Sequence, residues 1–196
     1  MTWGSHALAG GSFLEKVEAM KAAGSLPGLA RDGVYLPRAL LLDELRKSVD
    51  SDRVKVKDLL LSDEKGTVIL VSKSRVDTEI TVDFRFLDVD WPNRTIWMTY
   101  NEMAKSASDT LLGRILGTVA ISVFEAASGS THVESAVSGK PYFRLEDNRI
   151  GIMLDKIPSL EKPLAAKVGH VRLFDLIGIR SLKTEKDRIH VSLGLV

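Results

Sequence analysis

The sequence of 196 residues contains no cysteine. Disulfide bonds, thiolate metal sites and a cysteine nucleophile are therefore excluded. An excess of charge of one sign is also missing, because 27 basic and 26 acidic residues leave a formal charge of +1. Nucleic acid is accordingly not predicted as a partner, since its binding needs a basic surface. No hydrophobic run is long enough to span a membrane: the most apolar stretch, 111–127, contains Arg114 and Glu125.

A signal peptide is missing from the N-terminal stretch MTWGSHALAGGSFLEKVEAM, which lacks a basic region followed by a long apolar one. As written, the chain is therefore predicted to be cytoplasmic. A chain from which a signal or lipid anchor had been trimmed would look the same, and that reading would place the protein in the cell envelope.

Motifs for metal binding and nucleophilic catalysis are absent as well. The four histidines, at positions 6, 132, 170 and 190, show no metal-ligand spacing, and no serine lies in a G-x-S-x-G context. Asp88 and Asp90 share a strand end, but aspartate is common there because it hydrogen-bonds the local backbone. We therefore predict no catalytic residue, no metal site, no cofactor and no enzymatic activity.

The hydrophobic periodicity predicts strands and helices in separate runs. A capping box at Ser12 and Glu15 begins a helix that stops near Gly24, a glycine-rich loop covers 24–37, and Pro37 begins a second helix. Alternating residues then predict strands at 54–61, 67–73, 80–86 and 96–100. A long amphipathic helix follows over 101–128, and further strands over 133–137, 142–145, 149–154, 179–184 and 189–196. This order predicts an α+β fold with a mostly antiparallel, strongly twisted sheet.

Two glycines of the long helix, Gly113 and Gly117, lie four residues apart on one helical face. Each costs about 1 kcal/mol of helix propensity relative to alanine, so something should compensate. Close packing against the sheet is the simpler interpretation, and a thin wall beside a ligand is the alternative.

The segment ITVDFRFLDVDWPNRTIWMTYNE, residues 80–102, reads as a hairpin with one apolar face and several aromatic side chains. Such a face covers either a plain core or an apolar ligand cavity. The residues of the hairpin alone leave both interpretations open.

The order of elements resembles the bacterial tubular lipid-binding (TULIP) superfamily, which includes SMP-like and BPI-like domains. The resemblance runs from about Tyr35 to Val196. It rests on PRALLLDELRKSV, on RVKVKDLLLSDEKGTVILVSKSRVDTEITVDFRFLDVDWPNRTIWM, on the long helix and on GIRSLKTEKDRIHVSLGLV. It implies one strongly curved, mostly antiparallel sheet wrapped around one long helix, with acyl chains between them. Residues 1–34 would then be a peripheral helix and loop, and residues 35–196 the lipid-binding domain.

The function that this resemblance implies is binding, with transfer as an extension, of a lipid or fatty-acid-like molecule in a groove between the long helix and the sheet. Transient membrane contact and a homodimer are compatible with it. The residues expected to line the groove are Ile80, Val82, Phe84, Ile96, Met98, Leu112, Leu116, Val119, Ile152 and Leu154. Two alternatives stay open: a solid-core interaction or scaffold module, and a small enzyme using Asp88, Asp90 or His170.

Overall fold

The computed structural model describes residues 27–73, 77–101, 109–128, 142–146 and 149–196. Its helices are α1 (Arg38–Val49), α2 (Asp109–Ser128) and the single-turn α3 (Glu161–Leu164) and α4 (Leu173–Leu176). Helix α1 and the described part of the long helix confirm two predicted helices. The helix predicted at 12–24, the beginning of the long helix and the strand predicted at 133–137 lie outside the described residues.

The strands form two main sheets and one small hairpin. Strands β1 (Gly28–Ala30), β2 (Gly33–Pro37), β11 (Ile177–Glu185) and β12 (Arg188–Leu195) form a four-stranded sheet in the order β1-β2-β12-β11. A six-stranded sheet has the order β3-β4-β5-β6-β8-β7, from strands β3 (Val54–Leu61), β4 (Gly66–Ser72), β5 (Thr78–Asp90), β6 (Thr95–Tyr100), β7 (Phe143–Glu146) and β8 (Arg149–Met153). Strands β9 (Lys167–Val168) and β10 (Val171–Arg172) pair separately. The pairs are antiparallel, which confirms an α+β fold with antiparallel sheets.

The predicted hairpin of 80–102 is confirmed as β5 and β6. Phe84 pairs with Tyr100 and Phe86 with Met98, and the register shifts between Phe86 and Asp88. Such a bulge lets one strand carry an extra residue, here Leu87, whose side chain is exposed. The hairpin therefore has the buried face that its alternation predicted.

The prediction of a glycine-rich loop over 24–37 is wrong for residues 28–37, which form the β1–β2 hairpin. Strand β2 continues into the sheet by pairing with β12, so that Val34 lies opposite Val191. The glycine that suggested a loop is required by this pairing, because a Cβ on Gly33 would lie 1.9 Å from the Val191 carbonyl oxygen. The expected domain boundary at residue 35 thus falls inside β2.

The expectation of one strongly curved sheet wrapped around one long helix is also corrected. The strands divide between two sheets, neither of which is strongly curved, and α1 packs beside α2. Helix α2 contacts β2 and β12 of one sheet and β8 of the other, so residues 112–113 and 115–124 are buried. Because two sheets and a second helix share the covering of α2, no single sheet has to bend around it.

Candidate functional site at the seam between the sheets

The ten residues expected to line a groove lie together in one hydrophobic core. Nine of them have 1% or less of their surface exposed, and Ile80 is half-buried at the margin. They come from β5, β6, α2 and β8 and from the turn after β8, where Leu154 lies. The sequence thus grouped residues that the fold does bring together, and in the structure their side chains fill the space between the elements.

Gly113 and Gly117 of α2 allow two aromatic rings to pack closely against the helix. A Cβ on Gly113 would lie 2.4 Å from the Phe143 ring, and one on Gly117 would lie 2.8 Å from the Tyr142 ring. Both distances are too short for contact, so the absence of a side chain lets these rings lie against the helix backbone. Burial raises the pKa of the Tyr142 phenol to about 12, and the hydroxyl donates to the Gly113 carbonyl at 3.4 Å.

The two sheets meet where a strand of one lies beside a strand of the other without backbone hydrogen bonds between them. Strand β4 pairs with β5 only from Thr78 to Phe84, so the same edge of β5 is unpaired from Arg85 to Asp90. Strand β11 is the last strand of the four-stranded sheet and packs beside β5 without pairing to it. We call this line, between Arg85–Asp90 and β11, the seam. The backbone hydrogen bonds that hold paired strands together therefore do not join β5 to β11 along the seam.

One end of the seam widens into a pocket of about 470 Å³, which we call the seam pocket. Its lining consists of Asp63, Glu64, Arg85, Phe86, Leu182, Lys183, Thr184 and Glu185. The volume falls within the range of about 300–1,000 Å³ that small-molecule sites occupy. Half-buried Phe86 and buried Leu182 give it an apolar patch between charged side chains.

The charged groups around the seam pocket divide into engaged and unengaged ones. Glu185 pairs with Arg188 at 2.7 Å, and the Asp63 carboxylate accepts the Lys186 backbone N–H at 3.1 Å. Within the described part of the chain, Arg85 and Lys183 form no ion pair or side-chain hydrogen bond. The charge of Arg85 nevertheless acts on Asp83 behind it, and the exposed carboxylate of Glu64 forms no ion pair among the described residues, so the rim carries charges of both signs.

A second pocket, of about 230 Å³, lies on the other side of Arg85 and includes Phe84, the one predicted groove residue that lines either pocket. Asp83 is fixed there by hydrogen bonds from the Lys65 ammonium and the Thr67 hydroxyl, both at 2.6 Å. Burial alone would raise the pKa of Asp83, but these hydrogen bonds and the charges of Lys65 and Arg85 lower it below 3.8. Asp83 is thus an ion-pair residue held in its charged form.

The residues considered for acid–base chemistry do not form a site among the described residues. The carboxylate of Asp90 is used by its own turn, where it accepts hydrogen bonds from Asn93. No hydrogen bond or ion pair joins His170 to Asp88 or Asp90 in the described ranges. The same ranges contain no group of three or more His, Asp or Glu side chains arranged to hold a metal ion.

The seam pocket was not predicted from the sequence. Its residues come from the β3–β4 turn, from the middle of β5 and from the end of β11, and only a long-range arrangement brings them together. The alternation in the sequence predicted the strand only over 80–86, whereas β5 has 13 residues against the 7 of β4, and this extra length leaves part of one edge of β5 unpaired.

Comparison with known proteins gave no match: no family model, no curated protein and no solved structure corresponds to this chain. Within the described residues, no helix is long and apolar enough to cross a membrane. The resemblance to TULIP proteins therefore stays a prediction.

Proposed function

We propose that this protein binds a lipid or another apolar small molecule whose acyl chain lies in the seam, above the packed core. The observation that carries the proposal is the seam pocket: an apolar patch of Phe86 and Leu182 between two strand edges that no hydrogen-bond ladder joins. The ten predicted residues would form the layer beneath the ligand. Transfer of the bound molecule is compatible with this role.

The driving force would be partition of methylene groups out of water. Each buried methylene contributes about 0.8 kcal/mol, so eight of them would contribute roughly 6 kcal/mol before the cost of ordering the chain. The polar end of the ligand would remain at the rim, where Arg85 and Lys183 lie among the carboxylates of the pocket lining. Within this mixed rim, a carboxylate or phosphate would pair with the two cations.

A single-cysteine experiment tests this placement, because the chain has no cysteine of its own. Lys183→Cys places a thiol at the rim of the seam pocket, and Lys55→Cys places one on β3 as a matched exposed control. Each variant is labelled with an environment-sensitive dye and titrated with a long-chain fatty acid below its micelle concentration. We expect a saturable blue shift at position 183 and none at position 55.

Two results would contradict the proposal. Equal shifts at both positions would mean that the fatty acid coats the surface without a site. Absence of a shift at position 183, combined with absence of fatty-acid binding in calorimetry of the unlabelled wild-type protein, which keeps Lys183, would remove the seam as a ligand site.

A second candidate is the solid-core interaction module, and one observation favours it. Nine of the ten predicted groove residues are buried against one another, whereas Leu29, on the edge strand β1, is 90% exposed. An edge strand presents unpaired backbone groups to which a protein partner or a second copy can add a strand. Replacement of Leu29 by proline should then abolish complex or dimer formation in sedimentation velocity without affecting fatty-acid binding.

A further inference from the structure

Apolar side chains are exposed together at one end of the molecule, where α4 leads into β11. Val171 and Leu176 are each 45% exposed, Ile177 is 37% exposed and Leu195 is 73% exposed. We call these four residues the apolar tip. Single exposed apolar residues are ordinary on protein surfaces, but a group of them marks an interaction site.

The residues of the apolar tip are held beside one another by the fold. Ile177 lies directly opposite Leu195 in the β11–β12 pair. The backbone N–H of Val196 donates to the Leu176 carbonyl at 3.0 Å, and Val171 lies two positions before the first residue of α4. Just behind the tip, the indole N–H of Trp91 donates to the Phe174 carbonyl at 3.0 Å, which anchors α4 to the core.

Three exposed cations adjoin the apolar tip. Arg172 follows Val171, Lys167 lies opposite Arg172 in the β9–β10 pair, and the Arg180 guanidinium donates to the Leu195 carbonyl at 2.6 Å. Residues 154–180 contain five basic and three acidic residues, a net charge of +2, whereas the whole chain carries +1. The five basic side chains, all exposed, are Lys156, Lys162, Lys167, Arg172 and Arg180. Two of the three acidic side chains are already neutralised, since Asp155 pairs with Lys156 at 3.0 Å and Asp175 with Arg94 at 2.8 Å. Among the described residues, Lys162, Lys167 and Arg172 form no ion pair.

Exposed apolar side chains flanked by unpaired cations match one kind of surface in particular. Apolar groups enter the boundary between headgroups and acyl chains, while lysine and arginine stay at the level of anionic headgroups. Each such cation near an anionic bilayer contributes to binding, and the contribution is screened by salt. We propose that the apolar tip docks on an anionic lipid bilayer. This inference does not rest on ligand binding in the seam.

Flotation with vesicles tests the proposal on the full chain. One set of vesicles is phosphatidylcholine alone. The other contains about 30–40% phosphatidylglycerol, which makes the surface strongly anionic. Each set is used at low and at high salt. We expect binding to the anionic vesicles that weakens as salt rises. The double change Leu176→Ser with Ile177→Ser should reduce the partition coefficient by about tenfold or more. Leu60→Ser, which alters a side chain 49% exposed on β3, is the matched control and should have no effect.

The contribution of the cations is tested separately. Lys167→Gln with Arg172→Gln should reduce binding to anionic vesicles by roughly tenfold, since both side chains are exposed and each cation near the surface adds to the attraction. The same pair of changes should leave the weak binding to neutral vesicles unaltered.

Three results would overturn the proposal: wild-type protein that does not float with anionic vesicles, binding that the tip variant retains, or loss of binding in the Leu60 control as well. A dimer in sedimentation velocity that the tip variant converts to monomer would assign the surface to a second copy instead. Failure here is distinguishable from failure of the seam proposal, because the dye shift at position 183 is read in the absence of vesicles.

Discussion

Replacement of Leu116 by alanine tests whether the centre of the protein is packed or open. Leu116 is fully buried on α2, one turn after Leu112, and belongs to the hydrophobic core between the two sheets. Removal of its branched end leaves a space that the surrounding helices and strands can close only in part.

The expected cost follows from that burial. A fully buried leucine replaced by alanine destabilises a protein by about 2–5 kcal/mol, of which part is lost transfer free energy and part is the remaining cavity. Leu60→Ala is the matched control, because this leucine on β3 is 49% exposed and its replacement should cost roughly 1 kcal/mol or less.

The assay is denaturation by urea, in which the free energy of unfolding in water is compared between variants. We expect Leu116→Ala to lower the midpoint strongly at an unchanged m-value, because the surface exposed on unfolding stays the same. If Leu116→Ala costs no more than Leu60→Ala, then Leu116 borders an open groove in the unliganded protein. That result would refute the packed core and support the groove expected between the long helix and a sheet.

Three further predictions concern polar groups in the core and at its margin. Because burial raises the pKa of Tyr142 to about 12, the contribution of its protonated phenol to stability is complete below the unfolded pKa of about 10 and is lost between pH 10 and 12. In alkaline denaturation, wild type should therefore lose stability relative to Tyr142→Phe over that window, and a constant difference would contradict the assignment. The pKa of Asp83 is lowered, so its contribution is present at neutral pH and is lost as pH falls below about 3.9 and through the folded-state pKa. Urea denaturation should show that Asp83→Asn costs stability at pH 7 and progressively less as pH is lowered below about 3.9, and a cost that does not change with pH would be inconsistent with the ion pair to Lys65. The Ser122 hydroxyl is buried without a hydrogen-bond partner among the described residues, so Ser122→Ala should raise the free energy of unfolding by about 1 kcal/mol, whereas a loss of stability would show that the hydroxyl is satisfied.

The local elements could be predicted because their signals lie within short segments. The alternation of apolar and polar residues in β3 to β6 indicated which side chains face the core. The apolar residues of α2 identified the helix against which strands of both sheets pack. The residues predicted to line a groove lie together in the core for the same reason, since a buried face in one strand must meet a buried face in a neighbouring element. That they border a ligand stays a prediction.

The division into two sheets could not be predicted, because it depends on pairing between distant segments. Strand β12 pairs with β2, whose residues lie more than 150 positions earlier in the chain, and this pairing makes β11 an edge strand beside β5. Nothing in the periodicity of either strand specifies its neighbour. The seam and its pocket are consequences of that choice, so they become visible only in the folded chain.

The central claim is that an apolar ligand is held by this protein, and native mass spectrometry of the gently purified full chain tests it most directly. We expect a stoichiometric adduct of roughly a few hundred daltons, the mass of a fatty acid or lipid that a pocket of this volume can hold. Organic extraction should release the adduct, and incubation with the extracted material should restore it. A mass equal to the bare chain, unchanged after incubation with fatty acid or with vesicles, would contradict it.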